Sequence, residues 1–195
     1  MTIENYKKFV INLKRREDRL QKLSLPFNYE VFEATDGKQK YPEIPRKLKG
    51  VYGCYDSHLR LIQKIKDENI KNSIIFEDDV ELSKDFIYRF NKSINELPND
   101  WDILYLGGWN LGDKKKFSEN LDIAEKVFTT QSYMVNFKFI ETLLEIIKIK
   151  SGKIDVIFSD ILPKYKCFIC SPPIAWQMEG FSDIENKLTN NIHLR

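Results

Sequence analysis

Glu77, Asp78 and Asp79 are three consecutive carboxylates that follow the apolar run Ile74-Ile75-Phe76 and precede Val80. Adjacent carboxylates repel one another, and a fold that needs only a turn gains little from placing three together. A hard divalent cation, bound by oxygen ligands and shared with a substrate phosphate, offsets that repulsion. The plainer reading of the same residues is a solvated acidic turn leading into the next helix, with Ser83 as its N-cap. The β-branched and aromatic residues before the triad are too few for a helix and read as a buried strand. Its carboxyl end sets the carboxylates at the rim of a sheet, where α/β proteins bind ligands.

Other residue types with chemical use are scattered. His58, one of two histidines, follows Ser57 in the first two turns of a helix expected to start at Gly53. It suits a metal or phosphate contact, or a half-buried structural imidazole. Asp36, in Ala34-Thr35-Asp36-Gly37, suits a hydrogen bond to a ribose or base, or an ordinary Asx turn. Asp155 and Asp160 accompany a short apolar helix over 154–162, and Asp155 suits its N-cap. Cys167 and Cys170 have C-x-x-C spacing, but the three cysteines include no second pair and no disulfide framework, so a zinc site is not expected there.

The elements that position these residues follow in chain order. Residues 8–13 read as a first strand, and a helix opens at Lys14, carries Leu20 and Leu23 at helical spacing and stops at Pro26. Residues 28–34 alternate as a second strand that ends in the turn Thr35-Asp36-Gly37. This is the opening of a nucleotide-binding α/β unit, yet neither a dinucleotide glycine fingerprint nor a P-loop is present. Residues 38–50, rich in Pro, Lys and Gly, are expected to form a surface loop, and a helix is expected over 53–69.

Beyond the triad, a helix over 86–97 stops at Pro98, and a strand from Trp101 ends in Gly107-Gly108, which permits a tight turn or close approach of a ligand. Residues 110–126 read as an irregular mobile loop, 127–136 as one long strand or a strand pair, and 137–150 as a helix ended by Ser151-Gly152. Cys167 to Cys170 reads as a strand. Pro172-Pro173 then stiffens an extended segment that either closes over a site or forms a surface tail packed by Trp176 and Phe181. There is no internal repeat.

The composition, 195 residues with 42% hydrophobic and 31% charged, is that of a globular chain large enough to bury a core, and one domain over 1–195 is expected. A net charge of +2 gives no reason to expect a nucleic-acid partner, and Lys14-Arg15-Arg16 and Lys114-Lys115-Lys116 read as solvated faces. No apolar run reaches membrane-spanning length. A cytoplasmic protein is expected, with peripheral membrane association left open.

Together these stretches resemble glycosyltransferase family 25, which contains lipopolysaccharide and lipooligosaccharide galactosyltransferases and collagen galactosyltransferases. The resemblance rests on Val10-Ile11-Asn12-Leu13 with Arg15 and Arg19, Ala34-Thr35-Asp36-Gly37, Gly53-Cys54-Tyr55-Asp56-Ser57-His58-Leu59, Ile75-Phe76-Glu77-Asp78-Asp79-Val80 and Trp101-Asp102-Ile103-Leu104-Tyr105-Leu106-Gly107, in that order. Tyr133-Met134-Val135, Asp155, Pro173-Ile174 with Gln177, and Ser182-Asp183-Ile184 continue it. Lys153-Ile154-Asp155 departs from the family's usual Pro-Val-Asp.

The resemblance implies an α/β fold of GT-A type, with a mixed central sheet flanked by helices and the sugar donor held at its strand ends. It implies that Glu77-Asp78-Asp79 fill the place of the DxD motif, with Asp79 and Glu77 as ligands of Mn2+ or Mg2+ and Asp78 in support. Asn12, Leu13, Arg15, Arg19, Asp36 and Gly37 would form the nucleotide pocket, and Ser57 and His58 would lie near the pyrophosphate at a helix N-terminus. Gln177, Ser182 and Asp183 would cover the diphosphate. Asp155, with Asp160 second, would be the base of an inverting transfer of a hexose, galactose from UDP-galactose first, to a hydroxyl of a glycan or glycoconjugate. The alternatives are a metal-dependent nucleotidyltransferase and a degenerate glycan-binding or scaffolding member.

Overall fold

The computed structural model describes residues 1–182 and the strand Lys187–Thr189. In chain order the elements are β1 (Lys7–Asn12), α1 (Glu17–Lys22), β2 (Glu30–Glu33), α2 (Gly37–Lys40), α3 (Arg46–Asp67), β3 (Ser73–Glu77), β4 (Val80–Leu82), α4 (Phe86–Glu96) and β5 (Ile103–Tyr105). There follow β6 (Trp109–Asn110), β7 (Lys115–Lys116), β8 (Leu121–Ile123), β9 (Val127–Phe128), β10 (Ser132–Val135), α5 (Ile140–Ile149), α6 (Ile154–Ile161), β11 (Cys167–Cys170), β12 (Ala175–Gln177), β13 (Gly180–Ser182) and β14 (Lys187–Thr189).

Eight strands form one mixed sheet in the order β2-β1-β3-β10-β5-β11-β8-β7. The first three run parallel, β10 is antiparallel to both β3 and β5, and β11 is parallel to β5. This is the mixed central sheet flanked by helices that the sequence led us to expect.

The two faces of the sheet are two separate cores. Successive side chains on a strand point to opposite faces, so Phe9, Ile11, Ile75, Tyr105 and Tyr133 pack with α3, α5 and α6. Val10, Ile74, Phe76, Leu104 and Met134 pack on the other face with Phe86 and Phe90 of α4. Each such side chain stabilises the fold by about 1.5–3 kcal/mol when fully buried. The same alternation carries Glu77, two residues beyond Ile75, toward the face that α3 covers.

Three expectations about local structure are corrected. The helix expected from Gly53 begins at Arg46, directly after Pro45 at its N-cap. The proline and glycines that suggested a loop serve the start of a helix and its packing instead. A Cβ on Gly53 would lie 2.7 Å from the Thr35 carbonyl oxygen, and one on Gly37 would lie 1.8 Å from that of Lys49.

The expected irregular loop over 110–126 contains β6, β7 and β8. Leu121 is buried, and β8 pairs with β11; polar edge strands lack the alternation that marks a strand in sequence. Of the two readings of 127–136, two strands is the one found, with different partners: β9 on β6 and β10 between β3 and β5. Thr129 lies between them at φ +72°, in the left-handed region.

Gly107-Gly108 follows β5 and serves close backbone packing. A Cβ on Gly107 would lie 1.8 Å from the Ala175 carbonyl oxygen, so the first glycine lets β12 approach the backbone there. The segment after Pro172-Pro173 is consequently no surface tail. Ile174 and Ala175 donate to the Leu106 carbonyl, and β12 pairs with β4, the strand that follows the acidic turn.

Candidate active site

The strand β3 ends at Glu77, and Asp78 and Asp79 form the tight turn into β4. Four stretches meet this turn at the carboxyl ends of the parallel strands. Leu13, Arg15 and Arg19 follow β1; Ala34 to Lys38 follow β2; Gly50, Gly53, Cys54, Ser57 and His58 come from α3; Gln177 and Ser182 come from the segment beyond β11. They line a cleft of about 740 Å3, counting the part open to solvent. Small-molecule sites occupy roughly 300–1,000 Å3.

Glu77 is held from two sides. Its Oε1 lies 3.2 Å from His58 Nε2 and accepts the Thr130 hydroxyl at 2.6 Å. His58 is only 1% exposed, and its Nδ1 lies 2.8 Å from the buried Tyr133 hydroxyl. Burial works against the Glu77 charge, but the hydrogen bonds from His58 and the Thr130 hydroxyl outweigh it, and the carboxyl sits below its usual range.

Asp79 has the opposite environment. Arg19 Nη1 lies 3.3 Å from its Oδ2, and Gln177 Nε2 donates to the same oxygen at 3.1 Å. Its Oδ1 is buried with no hydrogen-bond partner among the described residues. Burial, then the nearby Glu77 charge, push its pKa up to about 7 despite Arg19. Near neutrality Asp79 is therefore partly protonated, whereas Glu77 is ionised.

Asp78 is the support of this pair. It accepts Arg19 Nη1 on Oδ1 at 2.5 Å and Asn12 Nδ2 on Oδ2 at 2.7 Å. Asn12 is 3% exposed and also donates to the Arg16 carbonyl at 3.1 Å, so it braces Asp78 from behind and does not line the cleft.

The wall formed after β2 is clamped to α3. Ser57 Oγ donates to the Gly53 carbonyl at 2.6 Å and accepts the Thr35 amide at 2.8 Å. The Thr35 hydroxyl donates to Asp56, which also pairs with Lys40 Nζ at 2.8 Å, and Arg60 Nη1 donates to Thr35 Oγ1 at 2.8 Å. Asp36 accepts the Lys38 amide at 2.9 Å as the cap of α2 and pairs with Arg15 Nε at 2.8 Å. Asp36 thus caps a turn and also lines the cleft.

Several placements differ from those expected. Because α3 starts at Arg46, Ser57 and His58 lie deep in the helix and not in its first two turns. The free amides and positive dipole end that favour an anion are confined to the first turn, so the helix-terminus argument for a pyrophosphate there fails. Ser83 caps nothing by its side chain: Asp85 holds the N-cap position of α4, and Ser83 Oγ is buried without a partner among the described residues.

Asp160 is exposed, pairs with Lys150 at 3.1 Å and lies outside the cleft. Asp155 is half-buried and accepts the amide of Val156 at 2.9 Å. It does not line the cleft, yet its charge reaches the Cys54 thiol, which does. Asp183 lies outside the described residues.

Nothing local in the sequence marks Thr130 or Tyr133 as part of the site. Both sit on the chain leading into and along β10, and only the pairing of β10 with β3 brings them to Glu77. Arg15, Arg19, Leu13, Gly37, Gln177 and Ser182 line the cleft.

The donor set bears directly on a cation. Hard divalent ions take carboxylate oxygens, and the rim offers the unpartnered Asp79 Oδ1 with the ionised Glu77 beside it. These residues fit Mn2+ or Mg2+ shared with a phosphate.

The model of a known family, described as glycosyltransferase family 25 (LPS biosynthesis protein), matches residues 5–158 of this chain. Procollagen galactosyltransferase 1-A of Xenopus laevis is 26% identical over 167 residues, covering 70% of this chain and 27% of the relative. A putative glycosyltransferase, R655, of Acanthamoeba polyphaga mimivirus is 33% identical over 129 residues, covering 57% of this chain and 40% of the relative. A probable inactive glycosyltransferase 25 family member 3 of Bos taurus is 26% identical over 125 residues, covering 51% and 21%. The chain thus spans less than half the length of these curated relatives. No described helix is long and apolar enough to cross a membrane.

Proposed function

Since the chain belongs to glycosyltransferase family 25, we propose that it transfers a hexose from a UDP-sugar to a hydroxyl of a glycan or glycoconjugate, with Mn2+ or Mg2+ held by Asp79 and Glu77. Galactose is the sugar of choice, because relatives bear the name galactosyltransferase. The observation that carries this reading is the buried, unpartnered Asp79 Oδ1 at the cleft rim. Leaving such an acceptor unsatisfied costs roughly 1–3 kcal/mol, which a ligand in the cleft recovers.

When bound, the metal neutralises the charge that develops on the diphosphate as the glycosidic bond breaks. The rest falls to the chain. Arg19 spans Asp78 and Asp79 and keeps the turn from springing apart. Asp36 and the backbone at Gly37 offer hydrogen bonds to the nucleotide, while Arg15 adds a positive charge at the mouth. Gln177 and Arg19 hold Asp79 Oδ2, which leaves Oδ1 as the oxygen without a hydrogen bond among the described residues. Asp155, outside the cleft lining, is the candidate base for the acceptor hydroxyl in a single inverting displacement; its charge reaches Cys54 on the cleft, whereas Asp160 is paired with Lys150 at the surface.

The test is thermal stabilisation by a panel of UDP-sugars with and without Mn2+, followed by release of UDP on adding acceptor glycans. Stabilisation by one UDP-hexose that needs Mn2+ and disappears in Asp79→Asn is the expected result. Release of pyrophosphate would instead reveal a nucleotidyltransferase. Glycan binding that ignores both nucleotide and metal would reveal a non-catalytic member, as the label of the bovine relative suggests for that protein.

A further inference from the structure

We propose that Cys54, His58 and Glu77 form a thiophilic cation site that takes Zn2+ in the cleft and shares only Glu77 with the hard-ion position at Asp79. Cys54 and His58 are four residues apart on α3 and so share one face of it. Glu77 reaches the same point from β3. One ligand atom from each of the three lies within 4.8 Å of the others.

Zinc bonds of about 2.0–2.3 Å require ligand atoms less than about 4 Å apart. Closure therefore asks for a small inward movement. His58 and Glu77 are already at 3.2 Å, so most of it falls to the Cys54 side chain.

The surroundings are those of a supported ligand set. Metal-binding histidines commonly give their second ring nitrogen to a fixed partner, and His58 Nδ1 has the buried Tyr133 hydroxyl at 2.8 Å. With the ring proton on Nδ1 and donated to Tyr133, the Nε2 lone pair faces Glu77 and Cys54. Thr130 holds the Glu77 carboxylate from the other side at 2.6 Å. All three ligands line the cleft, which leaves a fourth position open, as in zinc sites with an exchangeable ligand.

Thiolate and imidazole suit zinc, whereas carboxylate and phosphate oxygens suit manganese and magnesium. Binding releases one proton, that of the Cys54 thiol, and moves the His58 proton from Nε2 to Nδ1. Glu77 belongs to both sets, so zinc here takes a ligand from the hard ion and stands in the way of a nucleotide. Only that last consequence rests on the transferase reading; the binding itself does not.

The experiment uses the metal-free full chain and Co2+ as a visible stand-in. One equivalent of Co2+ is expected to give a thiolate-to-cobalt charge-transfer band that Zn2+ removes. Cys54→Ser should lose the band, and Tyr133→Phe should keep it with affinity weaker by about 10–100-fold. Absence of the band, or its persistence in Cys54→Ser, overturns the site.

Should Cys54→Ser not fold, alkylation of the wild-type protein decides: Zn2+ must protect Cys54 while Mg2+ does not, and equal labelling overturns the proposal. A cobalt band without any UDP-sugar response would sink the transferase reading and leave this site standing. The reverse pattern would do the opposite.

Discussion

Gln177 Nε2 donates to Asp79 Oδ2 at 3.1 Å across 98 residues of sequence. The amide of Met178, next in the chain, donates to the Asp79 carbonyl at 2.6 Å. The acidic turn is therefore fixed both by side chain and by backbone from β12. Gln177→Ala is expected to leave the fold intact and weaken Mn2+ affinity about 10–100-fold, as loss of a supporting contact does. Isothermal titration of Mn2+ into the UDP-saturated protein checks it, and unchanged affinity would remove Gln177 from the site.

Asp79 gives a pH dependence of defined sign. Its folded pKa of about 7 lies above the ordinary 3.8, so between those values the native state holds a proton that the unfolded state has released. Stability of the metal-free protein from this group is thus full at low pH and falls as pH rises toward and through 7. Asp79→Asn should be more stable than the wild type at pH 8 in chelator, by on the order of 1–3 kcal/mol. Urea unfolding across pH should show the gap closing toward pH 4; a gap independent of pH would contradict this environment.

The two late aspartates separate by activity. Asp155→Asn is expected to lower kcat by about 10²–10⁴-fold, the range for a positioned general base, with little change in donor KM. Asp160→Asn should behave as wild type, since its carboxylate pairs with Lys150 at the surface. Equal losses in both would point to a structural role for α6 and away from a base.

Gly37 and Gly53 test how the nucleotide wall is docked. A Cβ at either would meet backbone of the neighbouring segment within 3 Å. Gly53→Ala should cost about 1–3 kcal/mol, as overpacking does, and Gly37→Ala at least as much. Denaturant midpoints check both.

Much of the architecture was legible because it follows from local chemistry. Ser73 to Glu77 is a strand because β-branched and aromatic residues end abruptly in charge, and its carboxyl end must lie at a sheet rim. Leu143, Leu144 and Ile147 announce the face of α5 by spacing alone. The start of α3 was misread because glycine and proline mark loops by default, whereas here Pro45 opens the helix and Gly53 makes room for Thr35. Backbone approach between segments leaves no local trace.

Covalent adjacency and strand polarity suffice to stand three carboxylates together at a strand end. That they differ follows from long-range packing. The pairing of β10 with β3 brings Thr130 and Tyr133 to the Glu77 and His58 pair, and keeps Glu77 ionised. The pairing of β12 with β4 places Gln177 on one oxygen of Asp79 and leaves the other bare. Burial and hydrogen-bond partners set a carboxylate's proton affinity, and here both come from segments distant in the chain.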